Sequence, residues 1–535
     1  MTNATARLAP KRRATDLFGP RGTPTIAIVG AGMGGIAAGV LFRKAGIETF
    51  TIYEQSERVG GTWWDNQYPG AEVDVDSYVY SFPFKRYDWT RTHARQAEIH
   101  TYLEETVTEF GLAPHLRLGT GVTRAVWDDD KHVYRLTLTT GEETECNVLI
   151  SAVGFLNVPY YPDWPGLDEF EGPCFHTARW EHQHDLTGKT VAIVGTGSTA
   201  SQMVPALQPV VGKLLLFQRE PGWVLPKGDR DYTREERARL HNPVVHRYRR
   251  AQWYWSTEKR LWNGGVYRPG TALHTASEKA ARHYIAKVFE DRPDLAAAVT
   301  PTYPFWGKRT IFSSDFYPAL KQPNVELVPR AVTSITPRGV VTADGVEHDA
   351  DVLVLSTGFQ PTNYLAHLEV IGRRGESIQK YWDGEPRAFV GVTVPTFPNF
   401  YMLYGPGTNG GEIALNLRNQ AAYARRAVKR MIREGVTAIE VKPSWADPYH
   451  AWLQSKMADT AWAVSNNYFT TGAGKVVTQW PFSALDYGAL LKILGPLSES
   501  VRRRGESADD LHAHRFEDAG IEDAEEDEPL RYERW

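Results

Sequence analysis

Twice along the chain an apolar run passes through Gly-x-Gly-x-x-Gly/Ala into a helix-forming run, first at Gly30, Gly32 and Gly35 and again at Gly195, Gly197 and Ala200. In the first unit, TIAIVGAGMGGIAAGVLFRKAG predicts a buried strand from Ile26 to Val29 and an apolar helix, and ETFTIYE predicts a second strand ending at Glu54. The second unit, KTVAIVGTGSTASQMVPAL followed by KLLLFQRE, has the same grammar. Strand, glycine turn, helix and strand make a βαβ unit with parallel strands. The turn glycines let the backbone close on a pyrophosphate held at the helix N-terminus. Two such units predict an α/β chain with two Rossmann-type dinucleotide-binding domains.

The units differ in charge. Glu54 lies 24 positions after Gly30 and Arg219 lies 24 positions after Gly195, so the spacing predicts one geometric slot with a carboxylate in the first unit and a guanidinium in the second. A carboxylate there suits a free ribose 2′-hydroxyl, and an arginine suits a 2′-phosphate. The pair therefore reads as FAD first and NADP second, with Glu220 beside Arg219 as an opposing charge. Two nucleotide sites on one chain point to electron transfer between a nicotinamide and a flavin. Enzymes that pass those electrons to a disulfide need a cysteine pair near the flavin. Cys146 and Cys174, 28 positions apart, form neither a CxxC pair nor a metal-binding spacing. Oxygen is the simplest remaining acceptor, and no metal is expected.

Composition narrows the partners. Lys and Arg total 60 against 64 Asp and Glu in 535 residues, a net charge of -4, and no long basic run offers a nucleic-acid surface. No apolar stretch reaches the roughly 18 residues of a spanning helix, and the basic N-terminus lacks the apolar core of a secretory signal. The expectation is a cytoplasmic protein with no membrane or nucleic-acid partner, a monomer or small homo-oligomer. The pattern divides into a flexible arm (1–23), a discontinuous FAD unit (24–155 and 365–495), an NADP unit (156–222 and 308–364), a helical insertion (223–307) and an acidic tail (496–535). Within that tail eight of the twelve residues Glu517 to Glu528 are acidic. A hairpin is expected around Gly141, and a helix from about 414 to 434 follows GPGTNGG.

Between the two units stands Phe170-Glu171-Gly172-Pro173-Cys174-Phe175-His176-Thr177-Ala178-Arg179-Trp180. This resembles F-x-G-x-x-x-H-x-x-x-W, the fingerprint of the Baeyer–Villiger monooxygenases, with Glu181 where that family usually has Pro or Asp. Gly61-Thr62-Trp63, Tyr68-Pro69-Gly70 and Asp74 resemble a second motif of the family, Gly307-Lys308-Arg309 its G-x-K-R segment, and Ser356-Thr357-Gly358-Phe359 its A-T-G-F linker. The resemblance runs in order from about 24 to 490. It implies NADPH reduction of FAD, oxygen addition at flavin C4a, and attack of the peroxyflavin anion on a ketone to give an ester or lactone. It assigns Arg309 the stabilisation of that anion, a role suited to a cation that stays charged when buried, and Asp74 the orientation of Arg309. It implies cofactor contacts for Gly30, Gly32, Gly35, Glu54, Thr62, Trp63, Trp64, Asp65, Asp74, Tyr80 and Val122. In the second unit it implies contacts for Thr196, Gly197, Ser198, Thr199, Gln202, Arg219 and Lys308. His176 reads as an interdomain hydrogen-bonding hub, equally as a packed core residue, and Trp180 favours this family over the heteroatom-oxygenating flavin monooxygenases.

The sequence departs from the family at two places. Phe155 stands where many members have glutamine, and Asn467, in Ser465-Asn466-Asn467-Tyr468, replaces the tryptophan of S-W-Y. Gly405-Pro406-Gly407-Thr408-Asn409 is closer to members acting on aryl or large ketones. A nitrogen- or sulfur-oxygenating flavin monooxygenase is the alternative, for which Arg309 would be unnecessary. A nucleotide-binding redox sensor is a third reading, which would show no ketone-dependent NADPH consumption.

Overall fold

Each glycine turn ends the central strand of a five-stranded parallel sheet in the computed structural model, which describes residues 14–19 and 22–506. In chain order the framework is β1 (Ile26–Val29), α1 (Met33–Lys44), β2 (Phe50–Tyr53), β3 (Leu116–Arg117), β4 (Val148–Ser151), β5 (Cys174–His176), β6 (Thr190–Val194), α2 (Ser198–Leu207), β7 (Lys213–Phe217), β8 (Val325–Val328), β9 (Val352–Leu355), β10 (Phe400–Met402) and α3 (Ile413–Glu434). The first sheet has the order β10-β4-β1-β2-β3 and the second β8-β7-β6-β9-β5. Read from opposite ends the orders correspond, with β1 matching β6, β2 matching β7 and β4 matching β9. In each sheet the chain leaves the central strand toward one side and later returns to the other. The gap at the carboxyl end of that strand is where open parallel sheets take ligands.

β1, β4 and β9 are buried at every position, which is why they read as unbroken apolar runs. Each sheet carries a smaller one beside it. Val122–Asp128, Val133–Leu138, Glu143–Cys146 and Glu369–Ile371 form four strands, with the expected hairpin turning at Gly141 (φ +83°). Val332–Thr336, Gly339–Thr342 and Glu347–Asp349 form an antiparallel meander. Because β10 joins the first sheet through β4, the first unit closes only after the second has been threaded.

The insertion is helical: Arg234–Leu240, Pro243–Leu261, Ala272–Val288 and Pro293–Val299. Thr233 and Glu236 make a capping box, and Asn242 accepts from Val244 N (2.9 Å) ahead of Pro243, so local side-chain chemistry fixes both starts. Its base is a pair of short parallel strands, Val224–Leu225 and Ile311–Phe312.

Two segments differ from the sequence reading. Ala14–Phe18, inside the expected arm, is a short helix with Leu17 buried. The expected tail begins inside ordered structure: Glu499–Arg502 pairs antiparallel with Ala438–Val441, and Arg502 bonds Asp129 at 2.8 Å. The acidic run at 517–528 lies outside the described residues. Among the described residues no helix is long and apolar enough to cross a membrane.

Candidate active site

Both turns open into one cavity of about 1960 Å³. Gly30 (φ +106°) and Gly195 (φ +114°) occupy backbone conformations that L side chains rarely adopt. A Cβ on Gly30 would lie 2.7 Å from Ala152 O, and one on Gly195 would run into Ser356 O. The helix caps are near copies: Gly32 has φ -76° and ψ -168°, Gly197 φ -76° and ψ -169°, and neither receives a capping side chain. The first-turn N–H groups of α1 and α2 are thus free to bind an anion, and the space around Gly197 is open. These cradles fit the pyrophosphates of two dinucleotides. Gly35 serves differently: its missing side chain lets α1 pack on Gly30 O behind the cavity wall.

Glu54, buried on the wall, accepts from Ala31 N (2.7 Å) and Ser56 N (2.9 Å). Its carboxylate thereby ties the turn to the end of β2. The matching slot in the second unit does not hold Arg219. Val29 pairs with Tyr53 but Val194 pairs with Phe217, so the residue corresponding to Glu54 is Gln218. Gln218 N bonds Val328 O as Glu54 N bonds Arg117 O, and the Gln218 side chain donates to Ala298 O (2.8 Å) in the insertion. The equal spacing of 24 conceals a connection one residue shorter. Arg219, one place further, is exposed on the cavity wall with no ion pair or hydrogen bond among the described residues. Lys308 is already engaged. It pairs with Glu220 and lies 5.2 Å from the centre of the Tyr303 ring, so the Glu220 charge is met by a lysine.

Arg309 joins the two halves. Its Nη2 lies 2.6 Å from Asp74 Oδ2, and Asp74 Oδ1 accepts from Gln202 Nε2 (3.0 Å) on α2. Gln202 also donates to Glu72 O (3.0 Å), and its Oε1 accepts from Tyr68 OH (2.8 Å). Gly70 (φ +83°) permits this contact, because a Cβ there would strike Gln202 O. The Asp74 side chain is 10% exposed and that of Arg309 43%, so the carboxylate anchors and the guanidinium opens to the cavity. Burial is the largest single influence and opposes the Arg309 charge, but Asp74 and the neighbouring phenols together outweigh it, and the pKa is raised. The phenols of Tyr468 and Tyr404 act in the same direction as Asp74. Tyr404 was not singled out by sequence, and its apolar surroundings, which include Phe155 with ring centres 5.1 Å apart, gave no signal of its place.

Thr62, Trp63, Asp65, Tyr80, Val122, Thr196, Ser198 and Thr199 all lie on the wall. Trp63 Nε1 donates to Tyr80 OH (3.2 Å), and burial raises the Asp65 and Tyr80 pKa values. Trp64 is a correction: it does not line the cavity and packs near His100 (5.5 Å) with Arg58 against its ring. In a one-turn helix (Thr62–Asp65) adjacent residues face different ways, so Trp63 points in and Trp64 does not.

None of Phe170, Gly172, His176 and Trp180 lines the cavity. Gly172 admits Asp351 O, Phe170 packs against the core of the second sheet, and Trp180 packs edge-on to Phe175 at 5.0 Å. His176 Nδ1 accepts from Ala178 N (3.0 Å), which leaves Nε2 to donate to Gly358 O (3.1 Å) in the linker after β9. Burial lowers its pKa to about 4, so the ring is neutral. Both bonds stay within the second unit, so His176 ties that unit's own backbone behind the cavity and is not the interdomain hub expected from the sequence.

At the departures, Phe155 is buried and stacks 6.2 Å from Tyr364. Asn467 is also buried: it donates to Trp462 O (2.7 Å) and Ser465 O (2.9 Å) and accepts from Phe469 N (2.9 Å). It fastens its loop from within. The insertion, read from sequence only as a helical subdomain, supplies a cavity wall through Trp253, Arg260, Tyr267, Phe305 and Trp306.

A family model described as pyridine nucleotide-disulphide oxidoreductase matches residues 27–208. Cys146 and Cys174 are free and sit in different sheets, and burial pushes their thiols up to about 12 and about 11. A Baeyer-Villiger monooxygenase of Streptomyces coelicolor is 36% identical over 470 residues, 86% of this chain and 89% of that one. One of Pseudomonas aeruginosa is 35% identical over 500 residues, 90% and 94% of the two chains. Among solved structures, an oxidized steroid monooxygenase bound to NADP is similar with a TM-score of 0.81 at 26% identity, covering 90% of this chain and 99% of that one. A cyclohexanone monooxygenase from Rhodococcus sp. Phi1 bound to NADP+ gives 0.79 at 29% identity, covering 90% and 100%. With more than a third of the residues identical over 86–90% of its length, the chain belongs to the Baeyer–Villiger monooxygenase family.

Proposed function

We propose that the cavity is the active site of an FAD-dependent monooxygenase that uses NADPH and O2 to convert a ketone to an ester or lactone. The observation that carries this is the Arg309–Asp74 pair, which lines the same cavity as the two glycine cradles and is held by Gln202 from the second unit. FAD fits the first cradle, with Glu54 at its edge, and NADPH the second, with Arg219 at its mouth. A bound flavin there supplies hydride acceptance and oxygen activation. The chain supplies position and charge. Arg309 presents a permanent cation where negative charge gathers on the oxygen that attacks the carbonyl carbon, and a preorganised charge pays no reorganisation cost at that moment. Asp74 and Gln202 keep the guanidinium from turning away. Tyr404, Phe155 and Trp306 give the same space apolar faces that suit a ketone and exclude water.

Purified, flavin-loaded protein tests the proposal. NADPH oxidation should accelerate when a ketone is added, and the product should exceed the ketone by the mass of one oxygen atom. Acceleration by amines or sulfides alone, with the products oxygenated at nitrogen or sulfur, would overturn it.

A further inference from the structure

Glu412 is a buried acid on the cavity wall that the scheme above does not use. It is the N-cap of α3 but makes no capping bond with its side chain, and its Oε1 has no hydrogen-bond partner among the described residues. The end of α3 shares the floor with the first glycine turn, since a Cβ on Gly34 would lie 3.3 Å from Leu417. Two charges approach it from the insertion helix Pro243–Leu261. Arg250 is committed to Tyr78 O (2.7 Å), Ser81 Oγ (3.0 Å) and Ser81 O (2.8 Å). Glu258, itself buried, accepts from Ala484 N (3.1 Å) and Leu485 N (3.3 Å), beside the Ser483–Asp486 capping box. An ionised Glu412 would thus have the α3 terminus in its favour, and burial and a like charge against it. Burial raises its pKa to about 7, with Glu258 adding to the rise and Arg250 opposing it. Asp76, another buried wall carboxyl with an unpartnered oxygen, is tied through its other oxygen to Tyr78 N (2.9 Å). Glu412 has no such tie among the described residues.

We infer that Glu412 supplies the cavity with the proton that ketone oxygenation consumes. The inference rests on the function proposed above, whose balance is ketone, O2, NADPH and H+ giving ester, NADP+ and H2O. One oxygen atom enters between the carbonyl carbon and its neighbour. The other leaves as water, whose hydrogens are the hydride of NADPH and one proton. That proton leaves the Glu412 carboxyl, and the carboxylate takes another from solvent. The donor is loaded below neutrality and empty above it, so turnover should fall as pH rises through about 7.

Glu412→Gln keeps the size of the side chain and removes the proton. Infrared difference spectra of the flavin-loaded protein should show a carboxylic-acid band in the wild type that titrates near neutrality and is missing from the variant. Ketone-dependent turnover of Glu412→Gln should be slower by about tenfold or more, with the decline above neutrality abolished. Because burial also raises the Asp76 carboxyl to about 6, the loss of intensity is what counts: an undiminished band in the variant, or a variant with the wild-type pH profile, would overturn the inference while leaving ketone oxidation standing. If the wild type forms no ester, the proposed function fails first, and the band then reports a buried acid with no such task.

Discussion

Arg219 and Lys308 carry the same charge but differ in what already holds them. Lys308 must give up Glu220 to meet a phosphate, whereas Arg219 has no partner among the described residues to leave. A charge-assisted hydrogen bond contributes about 1.5–3 kcal/mol. Arg219→Ala should therefore raise KM for NADPH about tenfold or more and leave NADH nearly unchanged, measured by steady-state reduction at fixed ketone. Glu220→Gln should act in the opposite direction on NADPH alone by releasing Lys308. Equal shifts for both nucleotides would remove Arg219 and Lys308 from the 2′-phosphate. Counting residues found Arg219 but misjudged its slot, because a count cannot register a connection one residue shorter between β6 and β7. His176 makes a separate prediction. Its ordinary pKa is 6.5, and burial lowers it to about 4 in the fold. Between those values the unfolded chain binds a proton that the folded one refuses, so the histidine costs no stability above about 6.5 and takes stability away as pH falls toward 4. Thermal unfolding of His176→Gln should fall less steeply from pH 7 to pH 5 than that of the wild type. Parallel curves would mean that His176 is not held neutral in the fold.

At the scale of elements, legibility followed burial. β1 matches its sequence-predicted bounds from Ile26 to Val29, and α3 begins within a residue of expectation, because continuous burial and a helical apolar stripe write themselves into the order of residues. The insertion shows the limit. Its helices were readable from their periodicity, but which of their residues face the cavity depends on how they dock, and no local pattern encodes that. The same holds for the loop around Asn467. In sequence it appeared as a missing tryptophan, yet in the fold three hydrogen bonds make it an internal brace. Removing buried bonds of this kind costs about 1 kcal/mol or more each. Asn467→Ala should loosen the loop locally, raising KM for ketone and peroxide release severalfold while overall melting moves little. Product analysis with peroxide detection in the same assay checks this, and unchanged coupling would make the brace irrelevant to the cavity.

For the whole molecule, the governing fact is duplication. Two sheets of corresponding order present their glycine turns to one cavity, and a Tyr68–Gln202–Asp74–Arg309 chain of hydrogen bonds crosses between them. Neither half contains that bridge alone. The motifs were legible because glycines at positive φ and close approaches cannot be written otherwise, whereas the bridge needed the fold to bring residues 74 and 202 together. If Arg309 carries the charge on which oxygen transfer depends, its loss should separate two events that the wild type couples. The decisive quantity is the amount of ester formed per NADPH consumed by Arg309→Ala, with peroxide and flavin content measured on the same preparation. The expected result is a protein that still binds FAD and oxidises NADPH, releases the oxygen as hydrogen peroxide, and makes ester at a rate lower by on the order of 10²–10³. Ester formation at near wild-type yield per NADPH would contradict the role given to Arg309.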